Sequence, residues 1–162
     1  MNEQIAVPVR CVVPLERMFG EDSKDTELLR AMAVEAEDYL LSFAWCDAVL
    51  QRYFGAGVGS IIGVFFFGIR PTRVGVDQWL WVVVGDLPRA YFVVDQCKTP
   101  AQVLNLYISH VKQWIEFARN GKSCSDLIPL NVPPTPEWAE QLAPRIEFLD
   151  DAILPRFKEA CP

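Results

Sequence analysis

Apolar residues recur along this chain with two different periods, and each period predicts a different element. At about 100° per residue, Leu28, Leu29, Met32, Ala33, Ala36, Tyr39, Leu40 and Phe43 fall on one stripe. That spacing predicts a core-facing helix over residues 23–43, capped by Ser23 or Asp25. Acids just inside its start suit the positive end of the helix dipole. Its opposite face carries Glu27, Arg30, Glu37 and Asp38, with Val34 and Leu41 among them. The two aliphatics are expected either to form a docking strip or to lie under an N-terminal arm.

The middle of the chain loses the helical period. Residues 79–95, WLWVVVGDLPRAYFVVD, are two apolar runs joined by a turn around Gly85, Asp86 and Pro88. They predict a β-hairpin, 79–84 and 90–95, that is apolar on both faces and needs cover on both sides. The run GVGSIIGVFFFGIR (57–70) reads as a further buried strand, so 57–95 holds three central strands at roughly 60–69, 79–84 and 90–95. Glycines at 55, 57, 59, 63 and 68 mark bulges or close backbone approach. Residues 45–54 fit a short strand or an extension of the helix. Before the first helix, 1–22 form an extended arm, with Pro8 and Pro14 confining 4–14 to a sheet edge or irregular chain.

Helical spacing returns after Thr99-Pro100-Ala101-Gln102, which supplies an N-cap, a first-turn proline and a capping-box glutamine. Leu104, Tyr107, Ile108, Val111, Trp114, Ile115 and Ala118 give the buried stripe of a helix over 99–120, ended by Gly121. Thr135-Pro136 repeats the device for a last helix over 136–157, which Pro144 is expected to kink or split. Together these elements predict one α+β domain over 1–162: a largely antiparallel sheet of three to five strands packed with three or four amphipathic helices.

Composition narrows the setting. The chain has 162 residues, 51% hydrophobic and 22% charged, which supports a buried core and argues against disorder. Its five cysteines, at 11, 46, 97, 124 and 161, are odd in number and scattered, and the first ten residues do not read as a secretory signal. Free thiols in a reducing cytoplasm are therefore expected. The uncharged run from Tyr53 to Ile69 sits at the lower limit for a membrane span, but its glycines and phenylalanines fit a buried strand better.

Charge adds a direction. Residues 1–50 hold ten acids and four bases, whereas the other 112 balance at eleven of each, so the whole net charge of −6 sits in the first third. A nucleic-acid surface needs clustered cations, so direct nucleic-acid binding is not expected. A basic protein partner suits the imbalance, and so does a face that only keeps the chain soluble.

Catalytic motifs are sparse. FGAGVGSIIG has GxGxG without the lysine of a phosphate loop or the following helix of a dinucleotide site. With one histidine, His110, and no paired-cysteine spacing, neither a metal nor another cofactor is expected. The polar group that stands out is Arg70, Arg73, Asp77, Asp86 and Arg89, all near strand ends. Gathered at one rim, those arginines hold a carboxylate or phosphate ligand; paired with the aspartates, they cap the sheet.

The hairpin, with SFAWC (42–46) before it and NVPPTPEWAEQL (131–142) after it, resembles a set of uncharacterised small bacterial proteins. The resemblance covers roughly 28–157. It implies a bacterial cytoplasmic setting and brings no activity or site residues. The expectation drawn from the residues is a non-catalytic, immunity- or antitoxin-like protein that blocks a basic, toxin-like partner. Glu27, Glu37 and Asp38 would steer the encounter, and Val34 and Leu41 would be buried on contact. The alternative is a small-ligand protein or enzyme using the rim of Arg70, Arg73, Asp77, Asp86 and Arg89.

Overall fold

Strand alternation sets the architecture. In the computed structural model, which describes residues 6–162, five antiparallel strands form one meander in the order β1 to β5. They are β1 (Val13–Pro14), β2 (Cys46–Val58), β3 (Ile62–Pro71), β4 (Trp79–Gly85) and β5 (Ala90–Val93). Side chains of β3 and β4 point alternately to two cores. Ile62, Val64, Phe66, Trp81 and Val83 enter one, whereas Phe65, Phe67, Ile69, Leu80, Val82 and Val84 enter the other. Every residue from Ile62 to Ile69 is buried, so the sheet needs a helical layer on each face.

Helix α1 (Ser23–Leu41) forms one layer alone. Helices α2 (Pro100–Arg119), α3 (Pro136–Phe148) and α4 (Leu154–Ala160) form the other. The α+β class, the antiparallel sheet and the number of layers follow the sequence pattern. All seven stripe residues of α2 are buried. Thr99 Oγ1 accepts from the Gln102 amide at 3.2 Å, and Gln102 Oε1 accepts from the Lys98 amide at 2.7 Å. Gly121, at φ +66°, turns the chain out of α2 as the Lys122 amide donates to Phe117 O at 2.9 Å. Two buried polar tips then fix α2 to the sheet: Trp81 Nε1 donates to Cys97 O (3.0 Å) and the Tyr107 hydroxyl donates to Pro88 O (2.6 Å).

Several boundaries move. The α1 cap is Asp22, one residue before Ser23 and three before Asp25, the two expected caps, with its side chain accepting from the Asp25 amide at 2.8 Å. Of residues 45–54, all but Trp45 are strand and none is helix, and the run at 57–70 is two strands: Gly57 and Val58 end β2, and β3 starts at Ile62. Ser60, at φ +66°, makes the reversal between them. The last helix breaks at a different place from the one expected. α3 continues through Pro144, and a π-helical segment (Leu149–Ile153) follows, immediately before Pro155 near the start of α4. Pro155 has no amide to continue the α ladder and its ring crowds the carbonyl four residues back, and a wider turn before it makes room for the ring.

Among the described residues, the arm does not lie over Val34 and Leu41. Val7, Val9 and Val12 pack on the α2 side of the sheet, and Leu15 and Met18 on the α1 side. Between them, Val13 and Pro14 pair with Phe54 and Tyr53, so the chain wraps round the open edge of β2. Residues 1–5 of the expected arm lie outside the described residues. A disulfide joins Cys11 to Cys161 with Cα atoms 6.1 Å apart, which corrects the expectation that every cysteine is a free thiol. Sequence could not show it, because 150 positions separate the two residues. Cys46, Cys97 and Cys124 are free.

Pro144 is exposed inside a continuous helix, and an alanine there would restore a donor toward Glu140 without touching the core. Pro144→Ala is therefore expected to stabilise the fold by about 1 kcal/mol or more in urea unfolding; a loss of stability would show that the proline is needed for the helix path.

Candidate functional site

The outward face of α1 and a groove beside it make the most prominent surface feature. The helix buries Leu29, Met32, Ala33, Ala36, Tyr39 and Leu40, which leaves positions 27, 34, 38 and 41 pointing away from the sheet. Val34 is 60% exposed and Leu41 43%. Gly57 brings the helix in close, since a Cβ there would meet Leu29 Cδ2 at 2.7 Å. At its N-terminus, the Gly59 amide donates to Asp25 Oδ1 at 2.7 Å, and the Glu21 amide to Asp25 Oδ2 at 2.9 Å. The glycines at 57 and 59 thus serve helix packing.

The groove lies between α1, the arm and β2, with a volume of about 660 Å³. Pro14, Leu15 and Glu16 form one wall, Arg30, Val34 and Glu37 another, and Gln51, Arg52 and Tyr53 line it from β2. Arg52 Nε donates to Glu37 Oε1 across it.

Folding divides the acids of the first third into spent and unspent charges. Asp22 and Asp25 accept backbone amides, while Glu21, Glu37 and Asp47 pair with Arg156, Arg52 and Arg70. Glu3 lies outside the described residues. Glu16, Glu27, Glu35 and Asp38 form no ion pair among the described residues, and all are exposed. The expected surface residues therefore separate: Glu27, Val34, Asp38 and Leu41 share the outward stripe, whereas Glu37 is tied to Arg52. Glu35, which the helical stripe did not single out, is exposed on α1 as well.

The arginine–aspartate rim is not one cluster. Because the strands are antiparallel, Arg70, Arg73 and Asp77 lie at the β3–β4 reversal, and Asp86 and Arg89 at the opposite end of β4. Arg70 Nε donates to Asp47 Oδ2 at 2.7 Å, and Asp86 faces Arg145 at 3.6 Å. Arg89 sits over the Tyr39 ring at 5.2 Å. Arg73 and Asp77 are exposed in the connection and form no ion pair among the described residues.

No family model matches the chain, and no curated protein or solved structure matches it either. Among the described residues, no helix is long and apolar enough to cross a membrane, and no group of three or more His, Cys, Asp or Glu is placed to hold a metal. His110 stacks on Phe92, with ring centroids 6.2 Å apart. Of the five tryptophans, Trp81 and Trp114 are buried, and Trp45, Trp79 and Trp138 are partly buried.

The free thiols are poor nucleophiles. Burial pushes the Cys97 thiol from an ordinary 9.0 up to about 11. Cys46 is raised by burial, then by Asp47 and Glu37, and Cys124 by burial. Below pH 9 Cys97 is protonated whether the chain is folded or not. Between 9 and 11 the unfolded chain gives up that proton while the folded one keeps it, so stability falls as pH rises. Tyr39 and Tyr107, both raised chiefly by burial, add to the fall at higher pH. Unfolding titrations at pH 8, 9 and 10 are expected to show this alkaline loss, with a shallower slope in Cys97→Ala. An equal slope in both proteins would remove the assignment to Cys97.

Proposed function

We propose that this chain is a non-catalytic binding protein of the immunity or antitoxin type, which blocks a basic protein partner with the outward face of α1. The observation that carries the reading is the combination on one helix face: Val34 and Leu41 open to solvent, with Glu27, Glu35 and Asp38 beside them and free of ion pairs among the described residues. Unpaired acids around exposed aliphatics suit a partner whose own site is cationic. Charge then speeds and orients the encounter, and apolar burial holds the complex. The groove next to Val34 gives a partner side chain a place to enter. In this reading Glu37 keeps Arg52 in position and does not meet the partner. The compartment proposed is a bacterial cytoplasm, where a cationic toxin active site would have to be blocked.

Glu27→Lys combined with Asp38→Lys is expected to weaken capture of the partner about tenfold or more and to reduce its dependence on salt. Neither side chain is buried, so unfolding stability should stay within about 0.5 kcal/mol. Cross-links from the captured partner should fall on α1. Undiminished capture by the double variant, or cross-links confined to other faces, would sink the proposal.

A further inference from the structure

We propose that the Cys11–Cys161 disulfide is an exchange site for small anionic thiols, and that its redox state decides whether the N-terminal arm is held in place. Cys11 is exposed and Cys161 is buried, so an incoming thiol meets Cys11 first. Cys11 also sits at φ +65°, a conformation that non-glycine residues rarely adopt and that the cross-link helps to retain. A cleft of about 260 Å³ opens beside Cys161, lined also by Lys158 and by Arg10, the chain neighbour of Cys11, and by no acidic side chain. Cations at that position attract a thiol bearing carboxylate or sulfonate groups and stabilise a departing thiolate.

The chemistry runs in two displacements. A thiolate attacks Cys11 Sγ, the Cys11–Cys161 bond breaks, and Cys161 leaves as a thiolate beside Arg10 and Lys158. A second thiol attacks the mixed disulfide and releases Cys11. Two thiols become one external disulfide, and the protein gains two electrons and two protons.

The consequence for the fold follows from how little else holds the arm. Apart from packing of its valines, of Leu15 and of the buried Met18, its anchors among the described residues are the Arg10 amide donating to Lys98 O at 2.8 Å, the two-residue β1–β2 pairing, the Gly20 and Glu21 amides donating to Thr26 Oγ1 and Asp25 Oδ2, and the Glu21–Arg156 ion pair. Pro14, Leu15 and Glu16, the groove wall, begin three residues beyond Cys11. Opening the disulfide therefore loosens that wall. Its effect on partner capture rests on the binding reading above; the exchange site and the arm release do not.

The test uses the oxidised full chain with 2-mercaptoethanesulfonate and with cysteamine at matched thiolate concentration. Alkylation and mass spectrometry follow the thiols appearing at Cys11 and Cys161. The anionic thiol is expected to react about threefold faster or more, and Arg10→Glu with Lys158→Glu to reverse the order. Amides of residues 9–16 should exchange with deuterium about tenfold faster after reduction, and equally fast in Cys11→Ser with Cys161→Ser. No charge preference would overturn the anionic-thiol site, and unchanged arm exchange would overturn the clasp. Faster arm exchange with partner capture absent in both redox states supports the clasp and counts against the binding reading alone.

Discussion

A strand with large apolar side chains on both faces cannot leave either face in water. β3 imposes that condition through Ile62–Ile69, and β4 repeats it. Burying a phenylalanine or isoleucine contributes about 1.5–3 kcal/mol, so exposing the apolar side chains on one face of β3 would cost an amount comparable with a small domain's whole stability. One helical layer would leave half of these side chains wet. The C-terminal helices therefore cover one side, and α1 must cover the other by itself. Because α1 works alone, its outer surface is left without a neighbouring helix, and that surface carries the unspent acids.

The same constraint explains the arm. A meander has two edges, and the β2 edge is longer than β1 can pair. The arm runs along one face, turns round that edge through β1 and continues on the other face before entering α1. Its position is set by a two-residue pairing, a few apolar contacts and one covalent bond to the far end of the chain. The groove thus has two walls of different strength. The α1 wall belongs to a core, whereas the arm wall rests on the short β1 pairing, the packing of Leu15 and Met18 and the Cys11–Cys161 bond.

Much of the fold was legible in the sequence because local chemistry and tertiary need agree there. The stripes of α1 and α2, the Thr99 and Thr135 caps, and the β4–β5 hairpin were all found where patterning put them. Errors arose where local signals were shared or absent. Gly57–Ile69 has one continuous apolar character, so the reversal at Ser60 was hidden inside it. Pro144 carries a strong breaking signal, but α3 continues through it, and the irregular turn lies at Leu149–Ile153, ahead of Pro155. The candidate site was half legible: period 3.6 placed Glu27, Val34, Asp38 and Leu41 on one stripe, but pairing across elements decided the rest. Glu37 is claimed by Arg52, Arg70 by Asp47 and Asp86 by Arg145, and no spacing within a single sequence reveals such partners. The disulfide was hidden for the same reason.

Enclosure of β3 and β4 between two helical layers is the claim on which the α1 face, the groove and the arm all depend. Native-state hydrogen exchange resolved by NMR tests it most directly. Amides of Val64–Ile69 and Leu80–Val84 should exchange only through global unfolding, with free energies equal to that from denaturant titration. Exchange of those amides through local opening, at the rates of the arm, would contradict it.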